Sequence, residues 1–390
     1  MKVFLNYLIP FYLVFSLSAQ NDSISHQIYD RPFLLNLDSM TALGGYFEAN
    51  SNYFVEDGIS DGLSFEARRF NIFLFSSMSQ NLRFFSELEF EHGTEEIALE
   101  TAVFDMTFST ILNIRVGILL PPLGRFNVEH DSPKYNIIDR PLVSTLIIPS
   151  TLSDVGVGFF GQRYLNSMNR IGYEIYFVNG LREGIVSNET GGTRIAKGKS
   201  SKIFEEDNNG IPSVTGRFKA ENQWLGEIGF SFYIGPYNSF RVEGIKIDEK
   251  RFLDIIAIDY DLKINHFHWR NEFAVANIDV PIGLQEIAGN KQWGFYSEIN
   301  FEIFRGGLFG FENSRLIATF RGENVDLNVG SFQSTGENIG NEISRISLGI
   351  SYRPIENSVI KISYQYNWLQ DFTDNSIRRA GIQLGIATYF

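Results

Sequence analysis

Cysteine is absent from the 390 residues. No disulfide framework holds this chain, and a closed hydrogen-bonded sheet is one architecture that needs none. Long apolar runs are also missing after the first twenty residues, so a mature chain residing in a membrane would have to cross it as a barrel. No basic run offsets the formal net charge of -13, which excludes an extended nucleic-acid surface. Neither a Walker nor a dinucleotide motif is present, no spaced ligand set points to a metal, and no cofactor is implied.

What the chain has in quantity is Phe and Tyr, 36 and 17 residues, beside an ordinary hydrophobic share of 44%. Many aromatics without excess hydrophobicity suit surfaces that alternate apolar and polar residue by residue. The last ten residues, GIQLGIATYF, do this: Ile382, Leu384, Ile386, Thr388 and Phe390 fall on one face, and Gly381, Gln383, Gly385, Ala387 and Tyr389 on the other. In 292–304 Trp293, Phe295, Ile299, Phe301 and Ile303 oppose Gln292, Tyr296, Glu298, Asn300 and Glu302. In 345–353 Ile346, Leu348, Ile350 and Tyr352 oppose Arg345, Ser347, Ser351 and Arg353. Segments of about ten residues with this period are long enough to cross a bilayer when tilted.

The amino end reads as a secretory signal peptide. MKVFLNYLIPFYLVFSLSAQ carries Lys2, an apolar run from Leu8 to Leu17, then Ser18 and Ala19 before Gln20, which places cleavage after Ala19. Residues 20–42 are expected to form a short periplasmic segment, too small for the plug of an energised transporter, and 43–390 the barrel.

Strands are expected near 43–55, 63–76, 81–92, 96–108, 112–119, 155–163, 170–179, 213–219, 224–235, 252–262, 265–277, 290–304, 313–323, 341–353, 358–370 and 378–390. Connections after even-numbered strands are mostly tight, while the long ones, near 120–154, 180–212, 236–251, 278–289 and 324–340, follow odd-numbered strands. Such sorting is expected when both termini share one rim of a membrane barrel, and a soluble sandwich has no reason for it. The reading is an all-β transmembrane antiparallel barrel of about 16 strands, or 18 if FRVEGIKI at 240–247 joins the wall. A barrel of this width leaves an aqueous channel.

The loop at 120–156 carries Phe126, Tyr135, Ile137, Ile138, Leu142, Val143, Ile147 and Ile148, too many apolar residues to float in water. Folding inward would bury them and constrict the channel. Arg125, Glu129, His130, Asp131, Lys134, Asp139 and Arg140 are interleaved with these anchors and would face the passage. The His-Asp-Ser run at 130–132 contains relay residue types, but adjacent residues cannot converge on one relay. His266 and His268 are read as solvated wall histidines.

RVGILLPPLGRFN (115–127), DRPL (139–142), PSTLSDVGVGFFG (149–161) and YEIYFVNGL (173–181) in this order resemble the phosphate-selective porin O and P family in its Bacteroidetes form. FEARRFNIFLF (65–75) and LETAVFDMTF (99–108) also match its pattern. The resemblance implies a non-enzymatic, homotrimeric, 16-stranded barrel in outer-membrane lipid that passes small anionic solutes such as phosphate by diffusion. Such pores line their passage with cations, which replace an anion's hydration. The candidates here are Arg68, Arg83, Arg115, Arg125, Lys134, Arg140, Arg170, Arg270, Arg321 and Arg345. Glu87, Glu89, Glu91 and Glu100 are interspersed, which departs from a lysine-rich phosphate site and leaves a weakly selective porin as the alternative. A barrel lipase is the rival from another class; it would need Ser and His facing lipid, whereas both wall histidines are expected beside Glu272 in the lumen.

Overall fold

The computed structural model describes residues 29–34, 40–189, 192–284, 286–332, 334–372 and 375–390. The expected signal peptide lies outside them. Eighteen strands follow in chain order: β1 (Thr41–Glu56), β2 (Ile59–Ser79), β3 (Leu82–Glu91), β4 (Glu96–Thr107), β5 (Asn113–Leu119) and β6 (Asp154–Tyr164). Next come β7 (Asn169–Val178), β8 (Ser213–Asn222), β9 (Gly226–Pro236), β10 (Arg241–Val242), β11 (Ile245–Lys246) and β12 (Phe252–Ile264). The series ends with β13 (Phe267–Ile278), β14 (Lys291–Leu308), β15 (Phe311–Asp326), β16 (Glu342–Arg353), β17 (Ser358–Gln370) and β18 (Ser376–Tyr389).

All but β10 and β11 form one closed antiparallel barrel of 16 strands, sealed where β1 pairs with β18. Tyr46 stands opposite Tyr389, and Gly45 and Phe390 exchange two backbone hydrogen bonds at 3.0 and 3.2 Å. The 240–247 segment folds as the two-residue hairpin β10–β11, outside the wall, so the count is 16 and not 18.

The alternation is the reason the wall has two faces. Ile382, Leu384 and Ile386 are exposed outward, while Gln383, Gly385 and Ala387 between them are buried on the lumen side. β1 begins and β18 ends at one rim, where the connections are two to five residues long; the long loops all leave the other rim. Exposed Phe108, Tyr164, Trp224, Phe309 and Phe390 lie along the terminal rim, where amphipathic and aromatic rings meet a membrane interface. Phe390 stacks on Phe70 of β2, ring centroids 5.7 Å apart, across the seam.

Two β-bulges change which side chains enter the lumen. Pairing slips between Glu48/Ala49 of β1 and Arg69/Ala67 of β2, and the unopposed Arg68 turns inward beside Arg69. A second slip between Glu87/Leu88 of β3 and Thr101/Leu99 of β4 does the same for Glu100. Strict alternation would have sent one residue of each adjacent pair into lipid; a bulge re-aims it.

Candidate functional site

The 120–153 loop crosses the lumen, with one short helix, α1 (Leu142–Leu146), against β13, β14 and β15. Six of the eight anchors are buried as expected, Phe126, Ile137, Ile138, Val143, Ile147 and Ile148 all at most 4% exposed, while Tyr135 and Leu142 are half-buried. Wall glycines make room for two of them. A Cβ at Gly385 would stand 3.1 Å from Ile138 Cδ1, and one at Gly349 would stand 3.3 Å from Ile137 Cγ1. Glycines on β16 and β18 therefore help to seat the loop.

Polar latches complete the docking. Arg68 donates to Asp139 at 3.1 Å, Gln365 donates to Asp139 at 2.8 Å, and Glu272 accepts Ser144 Oγ at 2.6 Å. The amides of Gly124 and Leu142 donate to Ser231 Oγ and Glu323, each at 2.8 Å. Burial alone would raise the Asp139 carboxyl, but Arg68 and Arg345 outweigh it and hold its pKa at about 2. His130, Asp131 and Ser132 go to three separate partners, Glu100, Arg31 and Lys361, so the run forms no relay.

The ten cations divide into two groups. Arg115 is paired with Asp105, Arg125 with Glu129 and Glu227, Arg170 with Glu221, and Arg68 with Asp139. Arg270, Arg321 and Arg345 alternate with Glu298 and Glu323 in a ladder across β13 to β16: three links join directly opposed cross-strand positions, and the fourth, Arg321 to Glu323, runs along β15. The remaining three, Arg83, Lys134 and Arg140, have no ion pair among the described residues. Arg140 donates one hydrogen bond to Thr151 Oγ1 at 3.3 Å, while its Nη2 is buried with no hydrogen-bond partner among the described residues.

Cavities lie on both faces of the loop. The one toward the long loops is about 810 Å³ and balanced in charge: Arg68, Arg69, Arg140, Lys199 and Arg345 face Glu89, Glu91, Glu96, Glu100 and Asp139. Burial and neighbouring Arg140 push the Lys199 ammonium below its ordinary pKa. The cavity toward the terminal rim is about 400 Å³ and basic, with Arg125, Lys134, Lys263, Arg270, Arg305, Arg315 and Arg353 against Asp30, Glu129, Glu302 and Glu356. An adjoining space of about 330 Å³ is nearly balanced, Arg125, Arg170, Lys219 and Lys263 lining it with Asp30, Glu129, Glu221, Glu227 and Asp261.

Glu87, Glu100 and His130 bring one ligand atom each within 4.8 Å, which could hold an ion. Arg31 already engages Glu87 and His130 engages Glu100, so the donors are spent on each other. His266 lies in the exposed turn between β12 and β13 and meets Glu302, while His268 of β13 meets Asp261, so only the second is a wall residue and neither pairs with Glu272. Sequence reasoning missed Arg31, Arg69, Lys199, Arg217, Arg353 and Lys361. Period-two reasoning could have found Arg353, which faces inward beside Ser351; Arg69 needs its bulge, and Lys199 sits in a loop.

No protein-family model matches the chain, so the likeness to phosphate-selective porins rests on the motifs quoted above. An uncharacterized protein of Aquifex aeolicus (strain VF5) is 28% identical over 371 residues, 87% of this chain and 79% of the relative. An anion-selective porin from Comamonas acidovorans has the same architecture at a TM-score of 0.57 and 11% identity, covering 90% of this chain and 99% of the porin. In-vitro folded OmpT, an outer membrane protein of Vibrio cholerae, in its trimer form, gives a TM-score of 0.51 at 10% identity over 90% of this chain and 100% of OmpT. At such identities the likeness is one of fold, and the fold is that of the outer-membrane porins, a closed 16-stranded antiparallel barrel.

Proposed function

We propose that this chain is a homotrimeric outer-membrane porin through which small anions, phosphate among them, diffuse past the constriction loop. The observation that carries the reading is the basic cavity at the terminal rim. In a chain of net charge -13, seven Lys and Arg meet there with four Asp and Glu, and three of the seven, Lys134, Lys263 and Arg353, have no ion pair among the described residues. Acidic residues are abundant elsewhere, so their scarcity here is local, and a basic vestibule lowers the energy of an anion that has shed part of its water.

The three candidates without an ion pair mark the route. Arg140 faces the outer cavity, Lys134 the inner one, and Arg83 stands at the inner end of β3 beside Tyr29, its guanidinium 6.0 Å from the ring. Cations already paired with carboxylates have little charge left to offer a solute. Outer-membrane residence follows from the lipid-facing band of Ile, Leu and Phe side chains, and trimerisation from the family resemblance.

Purified protein added to a planar bilayer should give stepwise ion conductance, and adding phosphate to a chloride solution should reduce the chloride current by competition. Absence of conductance from folded barrels would reject the channel reading.

A further inference from the structure

Residues 29–34, expected in the periplasmic segment 20–42, instead enter the barrel from the terminal rim. Tyr29 Oη donates to Asp105 of β4 at 2.6 Å, and the Phe33 ring stacks on Phe73 of β2 at 5.7 Å. Between them lies Arg31, 1% exposed. Its Nε and Nη2 donate to the two carboxylate oxygens of Asp131 on the constriction loop, both at 3.0 Å, and Nη2 also donates to Glu87 of β3 at 2.9 Å. The guanidinium carbon stands 4.3 Å from the Phe73 ring centre and 5.0 Å from that of Phe85.

From this geometry we infer that Arg31 is the positioning residue that sets the distance between the constriction loop and the β3 wall, and with it the aperture. The inference rests on the channel reading above. Arg31 is the only cation ion-paired to Asp131 among the described residues. Asp131 and Glu87 both accept from the Nη2 of one guanidinium, so without it the two carboxylates repel across a site that water enters poorly. The neighbouring ties run to other strands: His130 meets Glu100 of β4, Lys361 of β17 donates to Ser132, and Tyr389 of β18 donates to Asp131 at 2.7 Å, so Arg31 alone among these links the loop to β3. A planar fork held between aromatic faces is a role for Arg that Lys fills badly, since a lone ammonium can neither grip both oxygens in plane nor stack flat. The aperture would then depend on a segment that belongs to neither wall nor loop.

Arg31→Met keeps the apolar body between the rings and removes the charge. It should raise single-channel conductance by about twofold and add rapid steps between levels, as the loop lifts from β3. Arg31→Lys should fall between wild type and Arg31→Met, and in an Asp131→Asn, Glu87→Gln background Arg31→Met should add little. Wild-type conductance from folded Arg31→Met, in a preparation whose wild type conducts, would overturn the assignment. A variant that fails to fold is bypassed by Phe33→Cys with Gly44→Cys in this cysteine-free chain. A Cβ at Gly44 would stand 2.8 Å from Phe33 Cβ, about 1 Å inside the usual disulfide spacing, so an outward shift of about 1 Å lets oxidation link the pair in folded barrels. No link in folded barrels would overturn the assignment. If wild type itself does not conduct, the channel reading fails while the cysteine pair still decides whether the segment is docked.

Discussion

The barrel wall and the constriction loop use the same side chains for opposite ends. Along the wall, three arginines, Arg270, Arg321 and Arg345, share two carboxylates, Glu298 and Glu323, in one ion-paired ladder. On the loop, Lys134 and Arg140 carry charge with no carboxylate partner among the described residues, each facing a cavity. The difference shows that counting lumen arginines overstates what a solute meets, because a buried charge must be paired before it can be tolerated. Wall cations with carboxylate partners hold shape; Lys134 and Arg140 on the loop and Arg83 at the inner end of β3 are left to act on what passes.

If that division is right, damage should split the same way. The largest effect is expected on the wall: Asp105→Ala strands the buried Arg115 guanidinium and should cost about 3–5 kcal/mol of barrel stability in urea unfolding. Below that comes the loop's seat. Gly385→Val pushes a side chain into Ile138 and should cost about 1–3 kcal/mol by overpacking, with a changed conductance as the loop shifts. A mild stability loss with unchanged conductance would mean the loop adapts without moving.

Acid should act on the latches in a defined window. Asp139 and Asp131 have folded-state values near 2, below the ordinary 3.8, so their contribution is complete above about pH 4 and is lost as pH falls toward 2. Conductance should therefore be steady from neutral pH to about pH 4 as far as these two are concerned, and turn noisy below about pH 3. The smallest stability effect belongs to the unpaired cations: Lys134→Gln should change stability by no more than about 0.5 kcal/mol, yet lower anion over cation permeability.

Much of the wall was legible in the sequence because its pattern is enforced twice, by lipid outside and water or polar loop inside. Ile346, Leu348 and Ile350 face out, Arg345, Ser347 and Ser351 face in, and sixteen strands follow from repeating that pattern between sorted loops. The apolar content of 120–156 likewise required an inward loop. What pattern could not give was register. Arg68 and Arg69 share the lumen only because β1 and β2 slip by one residue, and Glu100 enters for the same reason in β3 and β4. Nor could it give pairing, since Arg321 and Arg140 look equal in sequence and differ only in what stands opposite. Arg31 was invisible because its partners, Glu87 and Asp131, are 56 and 100 residues away and meet it only once the barrel has closed.

The most direct test of this division is the reversal potential in asymmetric KCl, measured for wild type, for the triple variant Arg83→Gln, Lys134→Gln, Arg140→Gln, and for Arg321→Gln with Glu298→Gln. Wild type should favour anions, the triple variant should lose that preference, and the wall double variant should keep it. A wild type that favours cations, or a triple variant as anion-selective as wild type, would contradict the account.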